Sequence, residues 1–289
     1  MALGSLYPAD LREFILILVA GIALDLVYPF HRGVMYRIHP VHTAYSMALS
    51  LSKRVPRSKL GGAVLWSTVV FTHMAVYAFV LYVANAVSRV LWLCASVYIF
   101  KVSASLRLLL DHVYRTGICL RNRNLDCARN AIAGAVRRDV FSLGEGHVAS
   151  AAIETLFENL VDGFTAPLLY YALLGPLGAL LQRLVNTLDA AVGYRTSEFA
   201  EIGWFSAKAD SAINYLPARI TALFVLALCP VVKGTSRRGL EVYLSEGSVI
   251  ESVNARVTIS CAAGCLGIRL EKVGFYSVGR EYGLSLIHI

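Results

Sequence analysis

Glu154, Glu158 and Asp162 follow one another at intervals of four residues. On an α-helix that spacing stacks three carboxylates along one face, where they repel one another unless something positive answers them. The row runs straight into an apolar stretch, FTAPLLYYALL, and unneutralised charge at such a boundary is costly. Mg²⁺, which takes carboxylate and phosphate oxygens, would account for the arrangement. A solvated helix face is the competing reading.

A second polar group follows the next apolar run. It holds Asn186, Thr187, Asp189, Tyr194 and Arg195, then Trp204, Lys208, Asp210, Asn214 and Arg219. Without a catalytic role, Asp210, Asn214 and Arg219 would cap a helix entrance with an ion pair, and Lys208 would snorkel towards lipid headgroups. Upstream stand Asp25, His39 and His42, with Pro40 after His39. Two histidines three apart can bind metal, but no third ligand accompanies them, so hydrogen-bonded loop histidines are expected. The chain contains no GxxxxGK[ST], HExxH or GxSxG, and no GxGxxG follows a strand. A nucleotide site would therefore be built from Arg, Lys and metal-bound carboxylates.

The elements that must hold these residues are apolar helices. Of 289 residues 57% are hydrophobic and only 16% charged, with a mean hydropathy of +0.60. Soluble domains carry about 25% charged residues, so this chain has too few to cover a soluble globule. The composition excludes a disordered chain and an extracellular disulfide scaffold. It points to an all-α polytopic integral membrane protein with about four or five embedded helical segments and cytoplasmic helices. The runs are Phe14 to Phe30, interrupted by Asp25, then Gly61 to Phe100, Phe164 to Leu181, and Ser211 to Val232. The second is long enough for two crossings, with a turn near Asn85 to Arg89.

Lys and Arg number 27 against 19 Asp and Glu, a net charge of +8. In a membrane protein that excess orients the chain and meets anionic lipid, and nucleic acid is not an expected partner. Lys53, Arg54, Arg57 and Lys59 precede the long apolar run, and Lys101, Arg107, Arg115, Arg121, Arg123, Arg129, Arg137 and Arg138 follow it. Two crossings return the chain to its starting side, so both clusters can be cytoplasmic, with the N-terminus outside. Residues 101 to 160 are helical in pattern but too polar for lipid.

Gly175–Pro176 lies midway between the two polar groups. A straight helix would carry those groups to opposite sides of the membrane, whereas a re-entrant hairpin turning at this pair brings them back together. We favour the hairpin. Residues 248 to 283 read as mixed, with short strands expected in VNARVTISC. The six cysteines form no CxxC pair and read as small buried hydrophobes, with nothing implying an oxidising compartment. The last six residues, LSLIHI, resemble the translation of a sequencing adapter. They and His288 are set aside, which leaves one membrane-embedded domain expected over residues 1–283.

Three blocks now resemble a known family: ENLVDGFTAPLLYYALLG, NTLDAAVGYR and GWFSAKADSAINYLPARITAL. They are similar to the CobD or CbiB membrane family of cobalamin biosynthesis, adenosylcobinamide-phosphate synthase. Weaker anchors are Leu24–Asp25 with Pro29, His39–Pro40–Val41, Ala128–Arg129, Arg138–Asp139 and CAAGCLGIRLEKVGFYSVG. The chain departs from the family pattern in the HTAYS that follows His39–Pro40–Val41, in Arg137 before Arg138–Asp139, in Lys208 where arginine is common, and in lacking the family's C-terminal tail.

The resemblance implies an ATP-dependent amide ligation at the cytoplasmic face of the cell membrane. A carboxylate of adenosylcobyric acid, the corrinoid substrate, would be joined to (R)-1-aminopropan-2-ol or its O-phosphate. Mg²⁺ and ATP would be required, and other late enzymes of the pathway are expected partners. Glu158, Asn159, Asp162, Asp189 and Asp210 are the candidate catalytic residues, Glu158 and Asp162 holding the metal. Asp25, His39, Asn186, Tyr194, Arg195, Lys208, Asn214 and Arg219 are the candidate substrate and phosphate contacts. AmpE-type relatives show that the scaffold need not be an enzyme, and a small-molecule transporter is a third reading, against which no inverted repeat is visible.

Overall fold

The first helix, α1 (Leu11–Val27), starts where Asp10 accepts the Glu13 N–H, an N-cap that satisfies one orphan donor. The computed structural model describes residues 6–136 and 138–280, so Arg137 and LSLIHI lie outside the described residues. A single turn, α2 (Val34–Arg37), precedes α3 (Pro40–Ser52), which His39 caps with Pro40 in its first turn. Proline fits there because that turn has no N–H partner to lose. The long apolar run becomes α4 (Lys59–Val87) and α5 (Arg89–Ser103). Ser88 separates them, donating its own N–H to Ala84 and accepting that of Leu91. The break falls inside the expected Asn85–Arg89 turn.

Next come α6 (Arg107–Arg121), α7 (Leu125–Ala133) and α8 (Glu145–Leu160). A π-helical turn, Val161–Thr165, leads into α9 (Ala166–Val192). Then follow α10 (Trp204–Ile213), α11 (Tyr215–Leu228), α12 (Ser236–Glu246) and α13 (Ala255–Leu266). Strands β1 (Leu270–Lys272) and β2 (Tyr276–Val278) form an antiparallel pair with Leu270 opposite Val278.

These elements gather into two compact units. The first comprises the described residues up to Leu106 and Asp162–Asn214, hence α1 to α5, α9 and α10. Its core includes Ile17, Leu65, Leu81, Trp92, Phe100, Tyr171 and Leu184, none more than 1% exposed. The second comprises Arg107–Val161 and the described residues from Tyr215. There α6, α7 and α8 share one apolar cluster around Ile132 and Val148, and α13 with the β pair supplies another around Ile259 and Leu270.

Four helical stretches are long and apolar enough to cross a membrane: Lys59–Val87, Arg89–Arg121, Glu145–Val192 and Tyr215–Val232. At 17 residues α1 falls just short of that length; its rise is about 26 Å against a hydrocarbon core of about 30 Å. The protein is thus a helical membrane protein.

The chain reverses within α9. Gly175 has φ +68° and ψ −159°, a conformation open to glycine and strained for any side chain. Contacts pair across it: Gln182 and Arg183 donate to the carbonyls of Asp162 and Gly163, and Asn186 reaches the Asp162 side chain. A Cβ on Gly178 would overlap the Tyr170 carbonyl oxygen, eight residues back. In a straight helix residues eight apart are about 12 Å distant. This is the expected hairpin.

Two expectations are overturned. VNARVTISC is not a strand: Ala255–Leu266 is helical, and Val257–Cys265 is buried throughout. Its β-branched residues are interleaved with small ones that let neighbouring helices pack closely around it, so packing outweighs propensity. Four of the cysteines are bonded rather than isolated, Cys119 to Cys127 and Cys229 to Cys265; only Cys94 and Cys261 are free.

Candidate functional site

The hairpin's return arm carries Gln182, Arg183 and Asn186. Asn186 Nδ2 donates to Asp162 Oδ2 at 3.1 Å and to Asp210 Oδ1 at 3.2 Å. Asp210 Oδ1 also accepts from Asn214 Nδ2 at 3.0 Å, and Asn214 Oδ1 accepts from Gln182 Nε2 at 3.0 Å. Three separated stretches of sequence thus meet in one network inside the first unit. Its outcome is two carboxylates held within reach of a single amide, an arrangement that repels itself unless a positive charge is near.

Arg183 supplies part of that charge. Its Nε donates to the Ser103 carbonyl at 2.6 Å, and its guanidinium is electrostatically coupled to Asp162, Asp25 and Asp210. Asp25 is 4% exposed and accepts the Leu106 N–H through Oδ2 at 2.9 Å. Asp189 lies one turn beyond Asn186, at the same end of the hairpin as Asp162.

His39 and His31 add a third group of residues. His39 Nδ1 accepts the Val41 N–H at 3.2 Å, and its ring meets that of His31 edge to face with centroids 4.5 Å apart. Burial pushes the His39 imidazole down to about 3, with help from His31, Lys101, Arg183 and His42. His31 is lowered as well, by burial and then Lys101, with Asp25 opposing. Both rings are therefore neutral at pH 7.

The remaining expected residues divide. Lys208, Tyr194 and Arg195 are exposed parts of the first unit, with Tyr194 tilted towards Phe199. Glu158, Asn159 and Arg219 belong to the second unit. Glu158 is exposed there, and Asn159 turns back onto its own helix, donating to the Thr155 carbonyl at 3.0 Å. Arg219 donates to Asn254 Oδ1 at 2.9 Å and to the Tyr215 carbonyl, and stacks on the Tyr215 ring.

Glu154, the first of the stacked carboxylates, is answered by an arginine within the second unit. Arg138 lies 3.1 Å from its Oε1, Ser150 donates to the same oxygen at 2.8 Å, and Tyr276 donates to Oε2 at 2.5 Å. Burial, and then the Glu154 charge, raise the Tyr276 phenol far above its usual range. The 3.6-residue register that aligned the row ends at Leu160, because the π turn that holds Asp162 has a different period.

Four participants escaped the sequence reading: Gln182, Arg183, Lys101 and His31. The signal for the first lay in Gln182, Asn186 and Asp189, spaced four and three apart on one helical face. Lys101 was grouped with the orienting surface charges, yet it is 5% exposed and faces His31. The residues that could face a Mg²⁺ ion in this network are two carboxylates, Asp162 and Asp210. No cluster of three or more His, Cys, Asp or Glu able to hold a metal occurs among the described residues. Two carboxylates suit an ion that completes its shell with phosphate oxygens and water.

Comparison with known proteins sets this geometry in a lineage. The family described as CobD/Cbib protein matches residues 18–286. The probable cobalamin biosynthesis protein CobD of Aeropyrum pernix is 46% identical over 261 residues, covering 90% of this chain and 81% of its own length. That of Methanothermobacter thermautotrophicus is 35% identical, covering 91% and 86%. The cobalamin biosynthesis protein CobD of Leptospira interrogans is 33% identical, covering 89% and 83%. No solved structure matches the chain.

Proposed function

We infer that this chain, which belongs to the CobD/CbiB family and takes part in cobalamin biosynthesis, is an ATP-dependent amide ligase. It joins a carboxylate of adenosylcobyric acid to (R)-1-aminopropan-2-ol or its O-phosphate, at the cytoplasmic face of the cell membrane. The observation that carries the reading is the meeting of Asp162, Asn186, Asp210 and Asn214 in one hydrogen-bonded network.

A resting carboxylate is a poor electrophile. In the proposed reaction its oxygen attacks the γ-phosphorus of ATP, forming an acyl phosphate and releasing ADP. The amine then attacks the acyl carbon, the C–N bond forms, and inorganic phosphate departs with the C–O bonding pair. Mg²⁺, when bound, neutralises the triphosphate and orients its γ-phosphoryl group. Asp162 and Asp210 would hold it, so the metal pairing moves from Glu158 to Asp210. Asn186 and Asn214 fix the two carboxylates, Arg183 balances their charge, and Lys208 and Arg195 meet phosphate oxygens. Asp189 takes the proton that the ammonium must lose before it can attack.

Purified protein in detergent, given ATP, Mg²⁺, adenosylcobyric acid and either amine, should yield adenosylcobinamide or its phosphate by mass spectrometry. ADP should appear in equal amount. Asp162→Asn and Asp210→Asn should each lower turnover about a hundredfold or more. Absence of corrinoid product from folded wild-type protein with both amines would refute the ligase reading.

A further inference from the structure

Lys101 near the end of α5 is only 5% exposed, and a buried ammonium ordinarily sits against a carboxylate. Here its Nζ lies 3.2 Å from Nε2 and 3.4 Å from Nδ1 of His31, so it faces the ring rather than one lone pair. Among the described residues no carboxylate lies within ion-pair distance of it; Asp25 acts on it only through space. The Tyr28 ring lies 5.6 Å from Nζ, but an ammonium has three hydrogens to donate, and one imidazole with one aromatic face does not satisfy them.

Further donors gather around the same ring. Because His39 Nδ1 accepts the Val41 N–H and the ring is neutral, its proton is on Nε2, which makes that nitrogen a donor. The Tyr98 and His31 rings stand nearly perpendicular with centroids 6.2 Å apart, and the buried Tyr98 hydroxyl has no hydrogen-bond partner. A buried cation with two neutral donors beside it is the composition of an oxyanion site.

We propose that Lys101, His31, His39 and Tyr98 form a buried subsite for a phosphate group. Its occupant is the phosphate monoester of the amine substrate. That identity rests on the ligase reading, but the capacity to bind phosphate does not. Lys101 would anchor the phosphate end of the amine phosphate, and the same group would distinguish a phosphorylated from an unphosphorylated amino alcohol.

Two measurements on the purified full chain test this. The first is binding of inorganic phosphate by titration calorimetry, to wild type, Lys101→Met, Lys101→Arg and a surface control, Lys53→Met. Methionine matches the length of the buried stem, and arginine keeps the charge. Expected are about tenfold or greater weakening in Lys101→Met and near-wild-type affinity in Lys101→Arg and Lys53→Met. No phosphate binding to wild type, or equal affinity in Lys101→Met, overturns the subsite, and the wild-type arm holds even if a variant fails to fold.

The second is the KM for each substrate in Lys101→Met. It should rise about tenfold for the amine phosphate and stay within about twofold for ATP and for the free amine. A rise for ATP alone, or an equal rise for both amines, overturns the assignment. Lys101-dependent phosphate binding without any ligation would leave the subsite standing and remove the ligase instead.

Discussion

Asn186→Ala removes an amide that touches both Asp162 and Asp210. Its Nδ2 donates to Asp162 Oδ2 at 3.1 Å and to Asp210 Oδ1 at 3.2 Å. A hydrogen bond to an ionised acceptor contributes about 1.5–3 kcal/mol. The two do not simply add, because Asp210 keeps the Asn214 amide at 3.0 Å and both carboxylates are only half-buried. One bond sets the floor, and the working range is about 1.5–4 kcal/mol. At about 1.4 kcal/mol per decade, kcat/KM for ligation should fall between roughly tenfold and a thousandfold. The assay is product formation at saturating ATP across a Mg²⁺ titration, with monodispersity on gel filtration as the control for folding. Asn186→Asp sharpens the test, since it replaces the shared donor with a third carboxylate. Its activity should collapse at low Mg²⁺ and recover in part as Mg²⁺ is raised. If folded Asn186→Ala retained kcat/KM within about threefold of wild type, the carboxylates would not be working as a fixed pair.

Two further outcomes are expected. His39 is held neutral when folded, down to about 3, while its ordinary value is 6.5. The unfolded chain therefore takes up a proton first, and stability should fall as pH drops below about 6.5 towards 3. His39→Asn keeps a helix-capping acceptor without titrating, so its Tm should depend less steeply on pH over that window, and an unchanged slope would contradict this. Gly178→Val drives a side chain into the Tyr170 carbonyl oxygen, backbone that cannot step aside. It should lower the Tm in detergent by several degrees, or prevent a monodisperse preparation, where Leu174→Val, at an exposed position, does neither. Equal behaviour of the two variants would argue against the hairpin's close crossing.

What could be read beforehand divides along a physical line. A polar residue in an apolar run is conspicuous because lipid penalises it, so Asp25, Asp162, Asn186, Asp210 and Asn214 stood out. The hairpin was legible for a similar reason: glycine before proline inside a membrane-length run has few explanations besides a break. Lys101 failed the same kind of reading because a lysine at the end of an apolar helix looks identical whether its stem snorkels to solvent or its head is buried. Only the packing of His31 and His39 decides between those outcomes. Arg183 was hidden by its neighbours, since it comes two residues after the apolar run ends at Leu181 and resembles a boundary charge. The stacked carboxylates mark a different limit. Their periodicity held from Glu154 to Glu158, but periodicity reports only which face a residue shares and not what lies opposite that face. For Glu154 the group opposite is Arg138, 16 residues earlier, together with Tyr276, 122 residues later. The same limit explains the cysteines, whose partners stand 8 and 36 residues away at spacings no local motif encodes. Local chemistry in a membrane chain therefore marks where polar work is done, while the identity of each counter-charge is a property of the tertiary fold.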